Sequence, residues 1–343
     1  VTSTVQANTD AGFSIVKYDG ANISGSTSTV GHGLDSAPEL IIVKAYETGL
    51  TASEWFVYSQ DVGNTKEGYL NQTAAFGTDT DRWNSTSPTS SVFSLGSSWS
   101  DYPAYYAGDT IAYCFHSVDS FSKFGSYTGN GTTTGPMVET GFEPAMIIIK
   151  DASGTDNWAI VDNKRATTNP RQTWLRPNIP NAEFTNTVDS INFYSNGFQV
   201  AGGTSVSNFL NESGNTFIYM AFAADPDTEQ PTLASSFSTN VFTDNASTDS
   251  LSVDIGFKPG FIWTKYRGGA QQHYIYDNLR SKYDYLSSND TYGNQNRTFG
   301  IEPTENGFTK FGNVWNRSGT DQIVAWSWKA DDNEPTIFGG AAK

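Results

Sequence analysis

Cysteine occurs once and histidine three times among the 343 residues. A single Cys excludes an intrachain disulfide framework. Charge is also scarce: Asp, Glu, Lys and Arg make up 16% of the chain, with 36 acidic against 20 basic residues, a net charge of -16 and a sequence pI of ≈ 4.4. Such a surface repels phosphate backbones and anionic lipid, so neither nucleic acid nor a membrane surface is expected as a partner. No apolar run reaches the roughly 18 residues that a membrane-crossing helix needs, so no membrane insertion is expected. No amphipathic helix with recognisable caps is present. The chain opens on Val1 and a polar stretch, without the basic and apolar pattern of a leader. It closes on Gly339-Gly340-Ala341-Ala342-Lys343, whose small residues suit a linker, and it reads as a piece of a longer protein.

Aromatic residues are plentiful at 14%, beside 32 Gly and many Ser, Thr and Asn, the composition of short strands joined by turns. At this length a single core has usually stopped growing, so two or three domains are expected. Internal repetition sets the number. The stretch Val138–Lys150, with Gly141-Phe142, Pro144 and the run Ile147-Ile148-Ile149 ending in Lys150, recurs as Val30–Lys44 and as Val253–Lys265. Each copy reads as a turn feeding a strand buried on both faces.

The rest of the chain falls into register around that element. Glu54-Trp55-Phe56-Val57-Tyr58-Ser59 matches Asn157-Trp158-Ala159-Ile160-Val161-Asp162 and Gln272-His273-Tyr274-Ile275-Tyr276-Asp277. Tyr69-Leu70 matches Trp174-Leu175 and Tyr285-Leu286. Ser195-Asn196-Gly197-Phe198 and Glu305-Asn306-Gly307-Phe308 carry the Asn-Gly hairpin signal. Each copy ends on an aromatic strand in which small Cys114, Ala221 and Ser327 sit beside bulky Phe115, Phe222 and Trp328. The expectation is an all-β chain of three tandem β-sandwich-like modules of roughly 110 residues. They span 11–119, 120–228 and 232–331, with a connecting segment at 1–10 and a linker at 332–343. They are expected to follow one another along a rod, with the first two packed rigidly because Ser117–Ser120 leaves little slack.

The repeats also act as a control for chemistry. His32 aligns with Thr140 and Ile255, His116 with Ala223 and Lys329, and His273 with Trp55 and Trp158. A triad or two-His metal site would require them to converge from different places, so no catalytic residue, cofactor or metal is assigned. Cys114 occupies a slot of small buried residues and reads as filler. The pairs Asp79/Asp81, Asp151/Asp156 and Asp331/Asp332 lack any fixed spacing across a cleft and read as solvated turn acids. Asp162-Asn163-x-Arg165 and Asp277-Asn278-x-Arg280 fit either an Arg that clamps a ligand or a structural turn with Arg paired to Asp. The candidate ligand-binding rings are Trp99, Tyr102, Tyr105 and Tyr106 in the loop before the last strand of module 1, with Trp315 in the equivalent loop of module 3. Exposed rings flanked by Asp and Asn can stack on a sugar; the alternative is that they pack against a neighbouring module or a sister chain.

The Gly-Phe-x-Pro-x-x-Ile-Ile-x-Lys element, the opening Gly12-Phe13-Ser14-Ile15-Val16-Lys17-Tyr18 and the segment Phe121–Gly131 together resemble a β-rich repeat domain of tailed-phage virion proteins from marine and cyanobacterial hosts. Those proteins are described as tail fibres or structural proteins. The resemblance runs from Gly12 to about Asp332 and brings no catalytic or binding residue with it. It implies a structural component of a virion appendage, outside the cell on the virion surface, contributing to attachment to bacterial surface polysaccharide. The partners it implies are other virion proteins and further copies of the chain, as a homotrimer. Two alternatives stand beside it: a purely architectural virion protein (capsid decoration, adaptor or filament subunit), and a polysaccharide-degrading spike.

Overall fold

Alternation of side chains along a strand means that a run apolar at every position must be covered on both faces. A computed structural model shows what covers them. It describes residues 1–20, 28–47, 49–50, 52–96, 108–201, 209–223, 235–245, 250–315, 320–331 and 333–339. Among the described residues there are strands and no helix, and the chain is all-β with tandem β-rich modules.

The first module holds β1 Ser3–Asn8, β2 Phe13–Asp19, β3 Ser28–Gly31, β4 Leu40–Ala45, β5 Trp55–Ser59, β6 Lys66–Tyr69, β7 Gly77–Thr78, β8 Val92–Leu95 and β9 Asp109–Phe115. The second holds β10 Ser122–Thr128, β11 Met137–Glu139, β12 Pro144–Asp151, β13 Ala159–Asp162, β14 Thr173–Trp174, β15 Phe184–Thr185, β16 Ser190–Tyr194, β17 Gly197–Ala201 and β18 Thr216–Ala223. The third holds β19 Phe237–Asn245, β20 Ser250–Asp254, β21 Phe261–Tyr266, β22 His273–Asp277, β23 Asp284–Tyr285, β24 Gln295–Asn296, β25 Gly300–Thr304, β26 Gly307–Phe311 and β27 Thr320–Trp328. Last comes β28 Thr336–Phe338.

Modules two and three share one topology. A four-stranded sheet, β10-β18-β12-β13 or β19-β27-β21-β22, lies over a three-stranded sheet, β11-β17-β16 or β20-β26-β25, with a two-stranded pair beside it. In the first module β2-β9-β4-β5 is the matching sheet, extended by β6 and β7 on one side and by β1 and β28 on the other, over the pair β3-β8. Registers agree residue by residue: Ile42 pairs with Val57 and Tyr113, Ile148 with Ile160 and Met220, and Trp263 with Ile275 and Trp326.

Each main sheet divides its side chains between two cores. Ile41 and Val43 with Cys114, Ile147 and Ile149 with Ala221, and Ile262 with Ala325 face the interiors of their own modules. The alternate residues, among them Ile42 and Phe115, Ile148 and Phe222, Trp263 and Trp328, meet in one core shared by all three modules. Phe222 lies 6.3 Å from Phe115 and 5.3 Å from Trp328, while Phe261 lies 4.6 Å from Tyr113. The modules therefore stand around a common apolar centre in a quasi-threefold ring, not along the expected rod. The reason is physical: a sandwich interior covers one face of a strand such as β12, and the other face finds its cover only in the neighbouring modules. Each fully covered Phe, Ile or Leu adds about 1.5–3 kcal/mol relative to exposure.

The ends of the chain close the ring. Residues 1–10 and 332–343, expected as connector and linker, contribute β1 and β28, which pair with each other through Ser3–Phe338, Thr4–Ile337 and Val5–Thr336. Gln6 Nε2 donates to the carbonyls of Asp331 at 2.7 Å and Asn333 at 3.0 Å.

Candidate functional site at the seams between modules

The aligned polar residues come together at the seams. Lys150 Nζ donates within its own module to the carbonyls of Asp151 and Gly154, and across the seam to the Thr73 carbonyl of module 1 at 3.1 Å. Lys265 repeats this with Tyr266, Gly269 and, across to module 2, Pro180 at 3.1 Å. Lys44 donates to the Ser53 carbonyl and feels the Asp290 carboxylate of module 3. Burial pulls the Lys44 pKa down to about 7 and that of Lys150 to about 8, against the raising effect of nearby carboxylates. One position further into the seam, Trp158 Nε1 donates to the Tyr69 carbonyl at 2.9 Å and Trp55 Nε1 to the Ser287 carbonyl at 2.8 Å. At the third seam His273 Nε2 donates to the Arg176 carbonyl at 3.1 Å, while its Nδ1 accepts from Trp263 Nε1 at 3.0 Å. A His backed by a Trp thus does the work of one indole.

The Asp-Asn-x-Arg elements are structural turns, as the second of their two readings had it. Asp162 Oδ1 accepts from the Arg165 amide at 2.8 Å, and Oδ2 accepts from Arg165 Nε at 2.6 Å and Trp326 Nε1 of module 3 at 3.1 Å. Asp277 Oδ2 likewise accepts from Arg280 Nε at 2.7 Å and from Tyr113 of module 1 at 2.7 Å. The Arg165 side chain is 0% exposed and the Arg280 side chain 1%, so neither reaches a ligand in solvent. The seam between modules 1 and 2 is built differently. Met220 stands where Tyr113 and Trp326 stand, and it faces a module in which Ser59 and Val62 replace Asp and Arg. At these three positions the donor, the acceptor and the cation are exchanged together, so the exchange itself strands no buried polar group there.

Several of the remaining candidates among the described residues have structural partners. His32 is buried, with Nε2 donating to the Thr89 carbonyl at 3.0 Å and Nδ1 accepting from the Leu34 amide at 3.1 Å; burial lowers its pKa. His116 Nδ1 donates to the Ser117 carbonyl at 2.9 Å, and its Nε2 lies 3.7 Å from Asp35. His273 belongs to another seam, and no group of three or more metal-ligating side chains forms among the described residues. Cys114 is fully buried, which pushes its thiol pKa well up. Asp79 and Asp151 cap turns through amides two and three residues on. Asp331 accepts from the Asn333 amide at 3.2 Å. Trp99, Tyr102, Tyr105 and Tyr106 lie outside the described residues. Trp315 is corrected: it is 0% exposed, sits in the core of module 3 and lies 5.9 Å from Phe242, because that core needs a large residue under β19.

An open cleft occupies the seam that lacks the Asp–Arg clamp. Glu39, Ser59, Gln60 and Asp61 line it from module 1, and Lys123, Gly125, Ser126 and Tyr219 from module 2, around about 310 Å³. Ser126 and Asp61 both line it, and the Asp61 pKa is raised by burial against the lowering influence of Ser126 and Lys123. The Tyr219 phenol is pushed up to about 12 by burial and by Asp61 and Glu39, so it stays a neutral hydroxyl. Gly125 is required here: a Cβ would lie 2.7 Å from Tyr219 Oη. Glu39 is tied down by the Ser117 amide at 3.0 Å and by the Ser117 hydroxyl. The arrangement offers carboxylate acceptors, hydroxyls and one ammonium to a polar ligand. Sequence reasoning passed over this cleft, although Ser59-Gln60-Asp61-Val62 breaks the repeat where the other modules keep Asp-Asn-x-Arg.

Residues 1–226 and 233–338 match the family described as Domain of unknown function (DUF7483). No curated protein matches the chain.

Proposed function

The chain belongs to the DUF7483 family, and we propose that it is a non-catalytic structural component of a phage virion appendage, resembling a tail fibre and contributing to attachment to bacterial surface glycans. The observation that carries the non-catalytic part is the commitment of the repeated polar side chains to the seams. Lys150, Lys265, Asp162, Asp277 and His273 hold modules together and are withdrawn from solvent. A quasi-threefold head with an acidic, polar surface suits a place outside the cell on a threefold appendage, where many copies sit close together without aggregating. Weak contacts per site then gain strength from multiplicity.

Attachment is assigned to the stretch of sequence carrying Trp99 and Tyr105, whose rings are the best stacking candidates for sugars in the sequence. Binding of the purified protein to host cells and to extracted surface polysaccharide tests this. The double variant Trp99→Ala, Tyr105→Ala is expected to lose about tenfold or more in binding, in line with the loss of two stacking contacts; unchanged adsorption would remove the assignment. A second reading, a purely architectural adaptor, is favoured by the open cleft beside β10, which suits a protein contact. Under it the protein binds neither cells nor polysaccharide.

A further inference from the structure

The quasi-symmetry of the chain supplies its own control for the cleft. In module 1 the outer edge of β2 is covered by β1, with Gln6, Val5, Thr4 and Ser3 opposite Ile15, Val16, Lys17 and Tyr18. Strand β10 is the counterpart of β2, since Phe124 pairs with Met220 as Ile15 pairs with Tyr113. The covering strand on β10 is cut short. Val118 bridges to Ser122 as Asn8 does to Phe13, and Ser117 Oγ takes the Phe124 amide at 3.0 Å, but one residue earlier the chain turns away into β9. Among the described residues, β10 is an edge with no strand beside it from the Phe124 carbonyl onward. Residues two apart on a strand direct their amide and carbonyl to the same side. The Ser126 amide and carbonyl therefore point outward, as Ser122 does, and have no backbone partner among the described residues. That stretch of edge is the wall of the cleft.

The geometry points to this cleft as a strand-acceptor site for an extended segment of a partner protein, three or four residues long, with basic side chains two positions apart and an apolar residue between them. The register follows from β1. A residue opposite Ser126 shares the face on which Ser126 meets Asp61, and so does one opposite Phe124, two positions along and nearer Glu39. Those two positions take Lys or Arg. The residue between them lies opposite Gly125, in the place that Val5 holds over Val16, where the Tyr219 ring lying against the Gly125 backbone offers it an apolar surface. Main-chain bonds to an open edge supply affinity, and alternate side chains supply specificity. The net charge of -16 steers a basic segment toward the site. This inference stands on the edge geometry and holds whether or not the protein belongs to a virion.

The test uses the full chain and the peptide acetyl-Thr-Lys-Val-Arg-Thr-amide, followed by amide chemical shifts in an isotope-labelled sample. The expected result is saturable binding, with shifts concentrated at Gly125, Ser126 and Gln60–Asp61, and no binding by the same peptide with Glu in place of Lys and Arg. Ser126→Pro removes an outward amide that β18 does not use, and an edge strand tolerates it; it abolishes binding while thermal unfolding shows a folded protein. Asp61→Asn, which leaves the edge intact, weakens binding about tenfold, the loss of one charge-assisted contact. If Ser126→Pro fails to fold, Asp61→Lys decides in its place by eliminating binding. Equal binding of the basic and acidic peptides, unchanged affinity in the Asp61 variants, or no shifts at millimolar peptide overturns the proposal. Shifts at the same amides with an oligosaccharide and none with the peptide overturn it equally.

Discussion

Tyr113 of module 1 and Asp277 of module 3 lie far apart in sequence and meet at 2.7 Å in the middle of a seam, so a double-mutant cycle between them measures how firmly the modules are joined. Tyr113→Phe removes one hydrogen bond to a buried carboxylate, with an expected loss of about 1.5–3 kcal/mol. Asp277→Asn leaves Arg280 buried beside a neutral amide; breaking a buried pair costs about 3–5 kcal/mol. Combined, the two changes cost less than their sum, because Tyr113 no longer has a charged acceptor to lose. The coupling expected for a direct buried contact is about 1–2 kcal/mol. Urea unfolding of the four proteins at neutral pH, followed by tryptophan fluorescence, provides the energies. Met220→Leu, at the equivalent place in the seam without an Asp, is the control and should cost under about 1.5 kcal/mol. Additivity of Tyr113→Phe and Asp277→Asn within about 0.5 kcal/mol would refute the reasoning, since residues on independently folding modules do not couple.

Phe222 touches Phe115 and Trp328 across two seams, so Phe222→Ala is expected to cost about 3–5 kcal/mol and to lower the stability of the whole chain instead of one module; denaturation read by several probes would show whether all shift together. The Lys44–Asp290 pair predicts a pH dependence with a definite sign. Lys44 has a folded pKa of about 7 against an ordinary 10.5, so between those values the unfolded chain holds more protons and stability rises with pH. Asp290 works the other way: its folded pKa of about 6 lies above the ordinary 3.8, so its contribution falls as pH rises between them. Lys44→Met should flatten the alkaline rise measured by urea midpoints, and an unchanged rise would assign it to other groups.

The strand content and the triple repeat could be read directly, because Pro144 followed by Met146-Ile147-Ile148-Ile149 leaves few other structures open. The same run held a further clue. Two apolar faces on β12 demand two covers, and a sandwich module provides one, so the second has to come from neighbouring modules, a consequence that the expected rod did not meet. Which residues meet across the seams was not legible, since Tyr113 and Asp277 carry no local signal of each other. The pairing shows only as a pattern of substitutions: Met220 loses its donor in the same molecule in which Ser59 and Val62 lose the acceptor and the cation. Trp315 misled for a related reason. An aromatic residue in a polar loop reads as exposed, yet Val314 and Trp315 fold back under β19 into the core of module 3. The end strands were hidden by composition, because pairing between β1 and β28 joins two segments that look like connectors when read separately.

Scanning calorimetry of the whole chain tests the central claim most directly. A single core shared by three modules predicts one unfolding transition whose calorimetric enthalpy equals its van't Hoff enthalpy. Two or three resolved transitions, each keeping its temperature when another module is destabilised by Phe222→Ala, would contradict it.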